Sequence, residues 1–207
     1  MATALALRKL PRQARAQVTC DAIVEAATQI LAAHGLAGFN TNAVATRAGV
    51  SIGSLYQYFA NKDALMAAVI HAAQTRQMKT VASAFSGLES ASLPVAVRAI
   101  VRAAMQHHHD DMLLATAIDH EEARLDMDAQ IAPYLHEGGV MAAAVLANYR
   151  DQIAPLDPER AARTLPVLVR AVVDAWANLS PPDLETAEDE AVRAVMGYLH
   201  CTMPVDV

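Results

Sequence analysis

The stretch from Thr41 to Lys62 concentrates side chains that can grip a polyanion and read hydrogen-bonding edges. Thr41, Tyr56 and Tyr58 offer hydroxyls, Arg47 and Lys62 positive charge, Ser51, Ser54 and Gln57 donors with acceptors, and Ile52 an apolar contact. Two tyrosines and a lysine within seven positions do not make an ordinary solvated helix face. Hydroxyl and ammonium groups are common ligands of phosphate.

Other candidate chemistry is weaker. Three consecutive histidines, His107, His108 and His109, invite a metal reading. Successive helical residues project about 100° apart, so the three cannot share one ion on an intact helix. His107 with Asp111, His108 with Met112, and His120 with Glu121 are the closer pairings, and no metal site is assigned. Cys20 and Cys201 lie at opposite ends of the chain, outside any Cys-x-x-Cys pattern or basic cluster. They are expected to be reduced and inert. No nucleophile elbow, Gly-rich phosphate loop, zinc-protease motif or paired-cysteine motif occurs, so no catalytic residue and no cofactor is assigned. Glu121, Glu122, Asp126 and Asp128 read as a solvated turn between helices.

Helices must position the Thr41–Lys62 residues. Thr41 precedes good helix formers and is expected to cap a short helix, with Val44 and Ala48 on one face. Gly49 ends it, because glycine tolerates the left-handed backbone of a helix stop. Ser51 caps the next helix, in which Leu55 and Phe59, four apart, point inward. Asn61 caps a third. Two short helices joined at a tight glycine turn form the arrangement whose second helix enters a DNA groove.

Composition agrees with packed helices. The chain has 207 residues, 54% hydrophobic but only 4% aromatic, with alanine, leucine and valine supplying most of the apolar count. The net charge of −6 looks wrong for a nucleic-acid binder until the chain is divided. Residues 1–62 carry six basic side chains against two acids, a net +4, and the remainder carries −10. A basic head on an acidic body turns the correct end toward DNA. The first seven residues are apolar, but the basic residues follow them and the run is short, so neither a secretory signal nor a bilayer span is expected.

Residues 15–65 resemble the DNA-binding domain of the TetR family of bacterial transcriptional regulators. Ile23, Ala26, Ala27, Gly35, Phe39, Thr41, Gly49, Val50, Ser51, Gly53, Leu55, Tyr56, Tyr58, Phe59, Asn61, Lys62 and Leu65 carry the resemblance. Ala60 departs from it, since relatives often have proline there. The resemblance implies an all-α fold: a three-helix helix-turn-helix domain, then a helical ligand-binding and dimerisation domain, about nine helices in all. The expected segments are a basic arm over residues 1–13, a DNA-binding domain over 14–62 and a ligand-binding body over 63–207. Phosphate contacts are expected from Thr41, Tyr56, Tyr58 and Lys62. Base-edge contacts are expected from Ser51, Ile52, Ser54 and Gln57, and Arg47 reaches a base or a phosphate.

The body reads as helix almost throughout. Helix 1 is expected from about Ala14 to His34, ended by Gly35. Later helices are expected over Lys62–Phe85, Leu93–Asp110, Met112–Asp119, Met127–Ile153 and Asp157–Leu179, the last bent at Pro166. Thr186 and Asp189 resemble a capping box for a final helix. The last two helices carry apolar faces wider than one chain needs. In the family this pair meets its twofold mate as a four-helix bundle, which assigns Leu165, Leu168, Val172, Val192, Val195, Met196 and Leu199 to a homodimer interface. The resemblance also implies an effector pocket among the middle helices, for which Met105, His108, Met112, Tyr134, Met141 and Trp176 are candidate lining.

The expected protein is thus a cytoplasmic, dimeric transcriptional repressor on a palindromic operator, released by a small hydrophobic or aromatic effector. A metal- or redox-responsive regulator of the same fold is the alternative. An enzyme and a helical adaptor with a vestigial DNA head are the competing classes.

Overall fold

The computed structural model describes residues 14–177, 179 and 182–200. The predicted basic arm and Cys201 lie outside the described residues. Among these residues the chain is built from α-helices: α1 (Ala14–Gly38), α2 (Thr41–Arg47), α3 (Ile52–Tyr58), α4 (Lys62–Phe85), α5 (Leu93–Asp110), α6 (Met112–Arg124), α7 (Asp128–Leu146), α8 (Pro158–Ala177) and α9 (Leu184–His200). Short 3-10 turns at Leu88–Ser90 and Ala147–Tyr149 follow α4 and α7. No described helix is long and apolar enough to cross a membrane.

The helices fall into two compact units. The first holds α1 to α3, α4 through Gln74, and residues 111–129 with α6. It is larger than the head expected over 14–62. Its interior is aliphatic with one aromatic anchor: Ile23, Leu31, Val44, Leu55, Phe59, Leu65, Met66 and Ile70 are all fully buried. Burying such side chains is the main stabilising term for helices this short, since α2 and α3 would not persist alone in water.

Local chemistry sets the ends. The regular part of α1 does break at Gly35, whose backbone turns left-handed (φ 58°), and a further turn runs to Gly38. The cap of α2 is Asn40 rather than Thr41: Ala43 N–H donates to Asn40 Oδ1 at 2.9 Å. Gly49, with φ 68°, reverses the chain so that Val50 N–H reaches the Ala45 carbonyl at 3.0 Å. Ser51 caps α3, accepting from Ser54 N–H at 3.0 Å, and Asn61 caps α4, accepting from Ala64 N–H at 2.7 Å.

A second correction concerns α6, which extends through Arg124 instead of ending near Asp119. Glu121 and Glu122 are therefore helical and buried, not a solvated turn. Arg124 chelates Glu121 and also reaches Asp63 at the start of α4, at 2.5 Å. Gln74 donates to Glu122 at 2.7 Å. These bonds compensate the buried carboxylates and tie α6 to α4 inside the first unit. Hydrogen bonds from Arg124 to Glu121 and then Asp63 hold the guanidinium above its ordinary pKa.

The second unit holds residues 75–110 and 130–207. Its core joins α5, α7, α8 and α9 through Val97, Val101, Met105, Leu146, Leu165, Val169, Val195 and Leu199. Tyr149, expected on one long helix to Ile153, sits in the 3-10 turn after α7, and its hydroxyl donates to the Leu88 or Ala91 carbonyl, each 2.9 Å away. Asp157 caps α8 through Arg160 N–H at 2.9 Å. The cap of α9 is Asp183, accepting from Thr186 N–H at 3.0 Å, so the capping pair stands three residues before the expected Thr186–Asp189. Glu188 is buried between α5 and α9 and takes hydrogen bonds from Arg98 at 2.6 Å and Arg102 at 2.8 Å.

Candidate nucleic-acid interface

The outer side of α2 and α3 collects the predicted contact residues. Leu55 and Phe59 are fully buried and fix the roll of α3. Ser51, Ile52, Tyr56 and Gln57 are exposed, while Ser54 and Tyr58 are half-buried. Ile52 and Tyr56, at 39% and 38% exposure, are large apolar bodies that an isolated chain leaves in water. They lie four residues apart and share a flank of the helix.

Hydrogen bonds hold several of these side chains in place. Thr41 Oγ1 and Tyr56 Oη lie 3.1 Å apart, linking α2 to α3. Ser51 Oγ and Ser54 Oγ lie 2.8 Å apart. Arg47 donates from Nε to Gln29 Oε1 at 2.7 Å, and Gln29 in turn donates to Glu25 at 2.9 Å. Lys62 Nζ stands 5.0 Å from the centre of the buried Phe39 ring, a cation–π distance. Gln29 and Phe39 thus orient the predicted contact residues Arg47 and Lys62. Gln29 escapes sequence reasoning because 18 residues separate it from Arg47.

What the arrangement can do is bind phosphate and base edges. Lys62 and Arg47 supply charge, Tyr56 and Thr41 supply paired hydroxyls, and Gln57 supplies an amide that donates and accepts at once.

The other predicted residues are distributed as follows. Met105 and His108 are buried in α5. Tyr134 and Met141 are half-buried on α7, and Met112 is half-buried in the first unit. Trp176, half-buried on α8, lines an open groove of about 440 Å³ with Ala171, Val172, Ala175, Arg193 and Ala194. Of the predicted interface residues, Leu165, Val195 and Leu199 belong to the core of the chain itself. Their faces are consumed by α8–α9 and α5–α9 packing. Leu168, Val172, Val192 and Met196 are half-buried around that core. His107 and His108 rings lie with centroids 4.0 Å apart, tilted 48° to one another, and His109 is exposed. Burial, then the nearby Asp21 charge, pushes the Cys20 thiol up, which disfavours the thiolate that redox sensing needs.

Comparison with known proteins finds matches over both parts of the chain. The family model for bacterial regulatory proteins of the tetR family matches residues 23–69. The model for a Tetracyclin repressor-like C-terminal domain matches residues 92–199. No curated protein sequence matches the chain. Solved structures share the fold. A Mesorhizobium loti chain assigned to the TetR-family transcriptional regulators is 20% identical, with TM-score 0.63 over 90% of this chain and 98% of that one. Thermus thermophilus FadR, a TetR-family repressor in complex with lauroyl-CoA, is 19% identical, with TM-score 0.64 over 91% and 98%. The multidrug binding protein EbrR, complexed with ethidium, is 23% identical, with TM-score 0.58 over 85% and 97%. With a basic helix-turn-helix at one end and matched models over both of its parts, the chain belongs to the TetR family of bacterial transcriptional regulators.

Proposed function

We propose that this regulator acts as a homodimeric repressor in the cytoplasm, binding a palindromic operator and leaving it when a small hydrophobic or aromatic effector binds the body. The observation that carries the reading is the outer face of α3, where Ile52, Tyr56 and Gln57 stand exposed beside the charge of Lys62. A single short helix reads too few base pairs to find a genomic site. Two heads about one helical turn apart read a palindrome and add their contacts.

The groove between α8 and α9 supports the twofold partner. Ala171, Val172, Ala175, Trp176 and Ala194 make its floor apolar, with Glu190 and Arg193 at hand for polar contacts. Small residues allow two helix pairs to approach closely, as in a four-helix bundle. The effector reading rests on Met105, His108, Tyr134 and Met141 of the second unit, whose soft apolar character suits an aromatic or aliphatic guest. The structural likeness to FadR in complex with lauroyl-CoA and to EbrR complexed with ethidium supports this reading.

Light scattering on wild type and Ala175→Glu tests the dimer. Wild type is expected at twice the 22.0 kDa chain mass. Ala175 is exposed, so the variant is expected to fold normally, run as a monomer and lose operator affinity. A monomeric wild type, or a variant that stays dimeric with full DNA affinity, contradicts the assignment. Thermal-shift screening of small molecules with a DNA-binding readout tests release. Ligands that stabilise the protein without ever altering DNA affinity contradict the repressor reading.

A further inference from the structure

Gly53 has no reason to be glycine that lies within the chain. It is helical, and the positive-φ glycines among the described residues are Gly35, Gly49 and Gly87. A Cβ built on Gly53 would meet nothing nearer than Ser51 Oγ, at 3.8 Å, an ordinary van der Waals contact. Glycine in a helix costs up to about 1 kcal/mol against alanine, so the chain would be more stable with a side chain here. Gln57 stands four residues on and therefore over Gly53 on the same face. Both are exposed, and Leu55 on the opposite side is fully buried. The centre of the outward face is thus a bare backbone with one amide projecting beside it. The flanking hydroxyls of Ser51 and Ser54 already face each other at 2.8 Å.

We infer that Gly53 is the point of closest approach between α3 and the floor of the major groove, and that Gln57 beside it reads an adenine. The missing Cβ lets the helix sit deep enough for the Gln57 amide to donate to adenine N7 and accept from its exocyclic amine. The ligand class is a duplex half-site with adenine at the position facing Gln57. This inference rests on the operator-binding reading above.

Duplexes selected by wild type from a random-sequence pool supply the probe. Each adenine of the selected half-site is then replaced by 7-deazaadenine, which keeps the amine but lacks the N7 acceptor. One such replacement is expected to weaken wild type by about 5- to 150-fold and to leave Gln57→Ala, already weaker on the native duplex, unchanged. Gly53→Ala is expected to melt at the wild-type temperature or up to about 4 °C higher, yet to bind the native duplex about tenfold or more weakly. Gly53→Ala binding as tightly as wild type overturns the inference, as does the lack of any adenine whose N7 matters only when Gln57 is present. If wild type shows no salt-dependent binding to the pool, the operator reading falls with it. If wild type binds and the variants fail these expectations, the present inference alone falls.

Discussion

The hydroxyl of Thr41 on α2 and the hydroxyl of Tyr56 on α3 lie 3.1 Å apart, bridging the two arms of the helix-turn-helix across 15 residues of sequence. Tyr56 is exposed, so the bond does not rescue a buried group. It fixes the direction of a ring that would otherwise swing freely and presents two hydroxyls side by side. Tyr56→Phe keeps the ring and removes the bond. Operator affinity is expected to fall by about 1–2 kcal/mol, from one lost phosphate hydrogen bond and lost orientation. The melting temperature should barely move. Fluorescence anisotropy with a labelled duplex, alongside circular dichroism, measures both.

Acid stability should depend on Glu188. Burial pushes its carboxyl up, but hydrogen bonds from Arg102 and Arg98, with their charges, outweigh burial and hold the group below its ordinary value of 4.5. A carboxyl lowered in the folded state stabilises above its unfolded pKa, and that stability is lost as pH falls through the depressed value. The contribution is therefore complete at neutral pH, begins to fall as pH drops below the ordinary value of 4.5, and is lost as pH passes through the depressed value. Glu188→Gln should lower stability at pH 7 by about 1–2 kcal/mol, a figure discounted because Arg98 and Arg102 are well exposed. It should also flatten the fall in stability as pH drops below the ordinary carboxylate value of 4.5. Urea melts at several pH values give both quantities.

Gly139 marks a point where α7 and α8 touch through backbone. A Cβ there would overlap the Ala162 carbonyl and its neighbouring backbone atoms, which cannot rotate aside. Gly139→Ala should cost about 2–3 kcal/mol despite the higher helix propensity of alanine. Differential scanning calorimetry of the variant reads it as a lower melting temperature, by several degrees for a chain of this size.

Arg124 pairs with both Glu121 and Asp63. Arg124→Ala leaves Glu121 buried without its bidentate partner and should lower stability of the first unit by about 1–2 kcal/mol. Arg124→Lys should recover only part, because a point charge cannot grip two oxygens in a plane. Amide hydrogen exchange in α4 and α6 locates the loosening.

The sequence made some of this molecule legible and hid the rest for identifiable reasons. Ser51, Asn61 and Asp157 cap helices as read, because each cap is a local contest between one side chain and one free amide. Thr41 lost that contest to its neighbour Asn40, and Thr186 is the amide partner of Asp183 rather than the cap. Adjacent residues of similar capping strength cannot be ranked without the backbone. Glu121 and Glu122 look solvated because their compensating groups are distant in sequence or folded back: Gln74 lies 48 residues away, and Arg124 faces Glu121 only once α6 continues past Asp119. In the sequence the apolar faces of α8 and α9 form one broad stripe. Packing divides that stripe into a core ridge with Leu165, Val195 and Leu199 and an outer groove with Val172 and Trp176. For the DNA face, exposure of Ile52, Tyr56 and Gln57 follows from Leu55 and Phe59 pointing inward. The Arg47–Gln29 bond has no local signature.

The salt dependence of DNA binding by wild type and Lys62→Ala is the most direct test that the head of this regulator grips duplex DNA through the α2–α3 face. Each phosphate neutralised by a cation releases counterions and steepens the fall of log K with log salt. Lys62→Ala should weaken binding to every duplex and reduce the slope by about 1. A wild type with no salt-dependent affinity, or a variant whose slope and affinity match wild type, would contradict it.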